Sequence, residues 1–137
     1  MSSRKTQIAI LMIGDLITLA LVTGLGFATH GTLGSAGFRI LTTFLPLLIA
    51  WAAVAPFLGV YDPERALEAR QLWRPFWAMV IAAPLAAWLR GVWLDAPILW
   101  IFVVVLGGFS ALGILAWRAI YALVIARRFA NPKVAHG

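Results

Sequence analysis

The 137-residue chain contains no cysteine, so disulfides, thiolate chemistry and Cys-ligated metals are excluded. Charge is scarce as well. Only 12% of the residues are charged, and five of them are acidic, whereas a water-soluble domain carries about 25% charge. No soluble surface can be built from that supply. The sequence also lacks a Gly-rich phosphate loop, a Ser-His-Asp set, paired catalytic carboxylates and a cluster of metal ligands. Without a nucleophile and base placed together, no enzyme activity is expected, and neither is a metal or other cofactor.

The chain is rich in apolar residues. They make up 63% of it, and the mean hydropathy is +0.95. The bilayer must be the solvent for most of this protein, and its length allows one domain, residues 1–137. Four stretches, at about residues 7–29, 40–61, 73–93 and 97–126, could each cross the hydrocarbon, which takes about 20 helical residues. Backbone amides in lipid must bond within their own segment, so helices are expected and strands are not. Pro46 and Pro56 in the second span and Pro84 in the third should kink them.

The connections are short. Residues 31–37 read as a Gly/Ser/Thr loop. Asp62-Pro63-Glu64 places an N-cap, a first-position proline and a first-turn acid in order, which starts a helix. Residues 64–72 then suit the headgroup layer. Trp73, Trp77, Trp88, Trp93 and Trp100 fall near span ends, where indole is favoured. The expected fold is all-α, an integral membrane antiparallel four-helix bundle.

Charge asymmetry gives the orientation. Arg4, Lys5, Arg65, Arg70, Arg74, Arg127, Arg128 and Lys133 lie on one side, against Arg39 and Arg90 on the other. The positive-inside rule therefore puts both termini in the cytoplasm of a multi-pass cell-membrane protein. The net charge of +6 suits anionic lipid headgroups rather than nucleic acid, because no basic face is interleaved with exposed aromatics. The first span is not expected to be a cleaved signal peptide. Its apolar run exceeds the usual length of about 7–15 residues, and Asp15 interrupts it.

Asp15 lies in the first span and Arg118 in the last, each about 12 Å from the cytoplasmic end at ~1.5 Å per residue. Charges at membrane depth are costly and normally paired, so an ion pair between the first and fourth helices is expected. Small residues suit that interface. Thr18, Val22, Gly26 and Thr29 follow Asp15 at helical spacing, and Gly107, Ala111 and Gly113 precede Arg118. The pair reads either as a clasp that fixes helix register or as a site where Asp15 binds a proton or cation and Arg118 tunes it. A second polar group, His30, Arg39, Arg90 and Asp95, could converge at the outer mouth. His30 could titrate near neutral pH, but a metal site needs three or more ligands. Arg90 and Asp95 read as a helix-end pair or, less favoured, an anion site. His136 lies in a tail after Asn131-Pro132. Trp51-Ala-Ala-Val-Ala-Pro56 weakly echoes Trp77-Ala-Met-Val-Ile-Ala-Ala-Pro84, a similarity best explained by alanine-rich composition.

Several motifs occur together along the chain. An early Asp15 is followed by Gly24-x-Gly26-Phe-Ala-Thr-His30-Gly31, then Thr43-Phe-Leu-Pro46 and Trp51. Trp77, Ala83-Pro84 and Arg90 come next, and Trp117-Arg118 closes the series. Over nearly its whole length the chain resembles the small prokaryotic membrane proteins called domain of unknown function 3054. The resemblance implies four spans, singles out Asp15, His30, Pro84, Arg90 and Arg118, and brings no activity. Small multidrug-resistance exporters offer an architectural analogy only. Here Asp15 stands where they have Glu, their flanking aromatic pattern is missing, and Arg118 would repel a cation.

Two functions follow as expectations. One is a non-enzymatic accessory or assembly component of a larger membrane complex. The other is a small proton-coupled transporter or channel, a homo-oligomer that uses Asp15 with Arg118.

Overall fold

A computed structural model of the protein describes residues 4–29 and 33–130, with side chains described over 4–28 and 37–125. His30, His136 and residues 31 and 32 of the expected outer loop lie outside the described residues. Among the described residues five α-helices follow one another, α1 (Arg4–Thr29), α2 (Leu33–Val54), α3 (Pro63–Ala66), α4 (Trp73–Leu94) and α5 (Trp100–Ala130). No strand occurs among the described residues. Among the described residues, four segments are long and apolar enough to cross a membrane, at Arg4–Ala28, Gly37–Leu58, Ala69–Leu94 and Trp100–Ile125.

Each long helix buries one narrow stripe. On α1 the buried residues are Leu11, Asp15, Leu19 and Thr23, four apart and so on one face. Ile10, Met12, Ile13, Ile17, Leu21 and Leu25 point outward. Apolar side chains facing out are what a lipid solvent permits. On α4 the inward stripe is almost all alanine, Ala78, Ala82, Ala83, Ala86 and Ala87 with Met79, and α5 contributes Ser110, Ala111, Ile114, Arg118, Tyr121 and Ala122.

Side-chain size sets the helix approach. A Cβ on Gly107 would stand 2.8 Å from that of Ala83, so α5 lies close on α4. On Gly113 it would meet Val22 and Thr18 of α1 at 2.9 and 3.1 Å. Packing against small residues is how membrane helices gain contact without a hydrophobic drive. Gly26, expected on the same face as Thr18 and Val22, is exposed instead. The packing is cyclic, with α1 against α2 and α5, and α4 against α2 and α5. Thus α1 sits between α2 and α5, which decides what Asp15 can reach.

The helix ends differ from the sequence expectation in three places. The expected loop through residue 37 is helical from Leu33, with a kink at Gly37, where φ 9° and ψ −90° leave the helical region. The second span does not continue as α-helix through Pro56. Pro56 cannot donate to a helical bond, and Ala55–Leu58 tightens into a 3₁₀ turn. Gly59 then takes the left-handed conformation at φ 71°. The Gly59 N–H bonds the Pro56 carbonyl and the Val60 N–H bonds the Ala55 carbonyl, both at 3.2 Å. This paired arrangement satisfies the last carbonyls of a helix. The fourth span starts at Trp100 and not at Pro97. Asp95, left-handed at φ 49°, ends α4 with the Ala96 N–H on the Gly91 carbonyl, and Pro97 disfavours helix in the residue before it.

The expected helix start at residue 62 is present. The Asp62 carboxylate accepts the Glu64 N–H at 3.1 Å, and Pro63 opens α3. A 3₁₀ turn, Ala69–Leu72, leads on into α4.

Candidate functional site

The α1 stripe aims Asp15 into the ring, where it is 1% exposed, and the α5 stripe brings in Arg118 at 3%. Arg118 Nε donates to Asp15 Oδ1 at 2.9 Å, and Nη2 donates to Oδ2 at 2.7 Å. Two parallel charge-assisted bonds form the strongest arrangement available to these groups. The third guanidinium nitrogen, Nη1, donates to the Val60 carbonyl at 2.8 Å. The capping turn at Gly59 makes that last bond available. It uses the Val60 N–H at the end of α2 and leaves the carbonyl to Arg118.

Two aromatic donors complete the carboxylate. The Tyr61 hydroxyl donates to Asp15 Oδ2 at 2.7 Å. The Trp51 indole N–H is shared between the Tyr61 oxygen at 2.8 Å and Asp15 Oδ2 at 3.2 Å. The Arg118 guanidinium also lies 5.3 Å from the centre of the Tyr61 ring, within cation–π range. Four donors therefore converge on one carboxylate from α2, α5 and the turn after α2. Tyr61 lies beyond the spanning segment that ends at Leu58. Burial, and then the Asp15 charge, push its phenol well above the usual range, so it remains a donor.

The surroundings are shaped to admit this cluster. A Cβ on Gly14 would fall on the Trp117 indole, so only glycine lets α5 come so near beside Asp15. Thr18 returns its hydroxyl to the Gly14 carbonyl at 2.7 Å. On the side of the α2–α4 connection, a crevice is lined by Gly59, Arg65, Arg74, Gln71, Glu68 and Arg118. Arg74 closes part of it by donating to the Leu58 carbonyl at 2.9 Å and to the Gln71 side chain at 2.6 Å.

The family model described as protein of unknown function (DUF3054) matches residues 12–121, most of the chain. The chain belongs to the DUF3054 family. No curated protein and no solved structure matches it. The matched part of this DUF3054 chain contains Asp15, Trp51, Tyr61 and Arg118 together.

Of the outer polar group expected from the sequence, the described members Arg39, Arg90 and Asp95 of this DUF3054 protein form no ion pair with one another. Among the described residues the ion pairs are Asp15–Arg118 and Asp62–Arg65, so Arg90 and Asp95 do not pair. Asp95 is held by its left-handed backbone at the end of α4. Arg90 lies 5.0 Å from the Phe102 ring centre on α5 instead. Arg39 is exposed on α2, and His30 is outside the described residues. No group of three metal-ligating residues occurs among the described residues.

Trp51 and Tyr61 had no role assigned from the sequence, although Trp51 is part of the family motif. Depth was the available signal. Trp51 lies well inside its span, at a level similar to Asp15, where an indole N–H needs an acceptor. Its echo partner, Trp77, is 51% exposed, so the two segments do not occupy equivalent places.

Proposed function

We propose that this DUF3054 protein is a multi-pass cell-membrane protein, an antiparallel four-helix bundle with both termini in the cytoplasm of a prokaryotic cell. In this reading it is a non-enzymatic accessory or assembly component of a larger membrane complex. The Asp15–Arg118 pair is its internal clasp. One observation carries the choice. The Asp15 carboxylate is 1% exposed and already accepts from Arg118, Tyr61 and Trp51. A proton or cation carrier must release and rebind its cargo, and a carboxylate enclosed by four donors is built for permanence. The long apolar outer faces suit contact with lipid or with partner helices.

A second reading is a small proton-coupled transporter or channel using Asp15 with Arg118. It draws on the crevice that reaches Arg118 from the α2–α4 connection, and on the prolines inside α2 and α4. The native mass of the protein, extracted in mild detergent from its own membranes, separates the two. Co-migration with a defined larger complex is expected for the accessory component. A lone monomer or homo-oligomer would sink that reading. Proton-coupled flux in liposomes, lost in Asp15→Asn while accumulation stays normal, would then establish transport.

A further inference from the structure

A cavity of about 130 Å³ lies at the far end of α4, between that helix and the linker into α5. At about 30 Å³ per water, it has room for roughly four waters or one tetrahedral oxyanion. Its walls are Ala87, Arg90 and Gly91 of α4, Ile98 and Leu99 of the linker, and Phe102 of α5. Gly91 lets the linker fold back, since a Cβ there would stand 3.0 Å from the Ala96 carbonyl oxygen.

Arg90 is the one charged residue among those walls. Its Nε is buried and, among the described residues, it has no hydrogen-bond partner and no ion pair. A buried donor on a charged group calls for an acceptor. The chain itself offers few. It has five carboxylates. Asp15 is enclosed by Arg118, while Asp62, Glu64 and Glu68 lie in the connection between α2 and α4. Asp95 is exposed on the turn and does not pair with Arg90.

The level of the cavity points to the source of the missing anion. Trp88, Trp93 and Trp100 are exposed around the same end of the bundle, at 53%, 48% and 73%. Exposed indoles of membrane helices sit at the headgroup layer, where lipid phosphates are. A guanidinium presents its donors as a planar fork that matches phosphate oxygens. The Phe102 ring lies 5.0 Å from the guanidinium carbon, within cation–π range.

We propose that this cavity holds the phosphate of an anionic lipid headgroup, bound by Arg90. The inference rests on the membrane reading above, and not on the accessory role. In the proposed orientation the lipid belongs to the outer leaflet.

The test uses full-length protein purified in mild detergent, after its release from membranes by detergent and not by salt has checked the membrane reading separately. Thermal denaturation is followed while dioleoyl phosphatidylglycerol, dioleoyl phosphatidylcholine or inorganic phosphate is titrated. Phosphatidylglycerol is expected to raise Tm saturably, and Arg90→Gln to weaken its apparent affinity at least tenfold. Arg70→Gln removes the same charge from an exposed position and should bind as the parent does. Ala87→Leu fills the cavity without changing net charge, and should weaken binding similarly even if Arg90→Gln fails to fold. Binding as tight as the parent's in both Arg90→Gln and Ala87→Leu would overturn the proposal. So would a response to inorganic phosphate without one to the lipid, or no saturable response at all.

Discussion

In Asp15→Asn the Arg118 guanidinium stays charged in the interior of the ring and loses its counter-ion. Breaking a buried pair from one side costs about 3–5 kcal/mol, much more than the intact pair contributes. A large drop in Tm is expected in detergent. Adding Arg118→Met should recover part of that loss, because no buried charge is then left alone. A double variant as unstable as the sum of the singles would contradict this account. Trp51→Phe keeps the ring and deletes one shared donor, for an expected loss of about 1 kcal/mol. Tyr61 adds a pH dependence. Its phenol is raised above the ordinary value of about 10, so its contribution is complete below that pH and fades as pH rises further. Tyr61→Phe should flatten the alkaline limb of a stability–pH profile and leave the neutral region little changed in slope. The two charged members of this cluster were legible in the sequence because charge is conspicuous at membrane depth. Trp51 and Tyr61 were harder to find, since aromatics in such helices usually serve as packing or interface anchors. The Val60 carbonyl has no side-chain signature, being an acceptor that a turn creates.

The elements depend on a few positions that no side chain can occupy. Gly59 is left-handed at φ 71°, and a Cβ there would also fall on the Arg65 guanidinium. Gly59→Ala should cost about 1–2 kcal/mol from backbone handedness alone. It should also displace the Val60 carbonyl from Arg118, so its loss should shrink in an Arg118→Met background. Additive losses would show that the turn and the buried pair are independent. Gly14→Ala drives a methyl into the Trp117 indole between α1 and α5. Overpacking of this kind costs about 1–3 kcal/mol. Near-UV circular dichroism and Tm should both change, while helix content stays constant. The four spans were legible because long apolar runs have few alternatives. Their ends were less so. Pro56 reads as a kink inside a long apolar run, yet the following glycine turns it into a stop. Asp95 reads as a charge seeking Arg90, yet its backbone uses it where glycine is commoner.

At the scale of the whole molecule, ring order is what the short connections implied, and it brings α1 beside α5. Arg90 and Asp95 do not pair because neighbourhood at one end of a bundle does not aim side chains at one another. Ring closure also has a consequence in time. Asp15 and Arg118 are 103 residues apart in the chain. At roughly 5–20 residues per second, synthesis separates them by about 5–20 s. Throughout that interval α1 carries a carboxylate into the bilayer before its cation exists. A growing chain is therefore marked as unfinished by its own first helix until its last one arrives. Chains cut after residue 99 should be cleared rapidly by membrane proteolysis, and Asp15→Leu should extend the lifetime of the same fragment. Quality control would then be written into the protein as an unanswered charge.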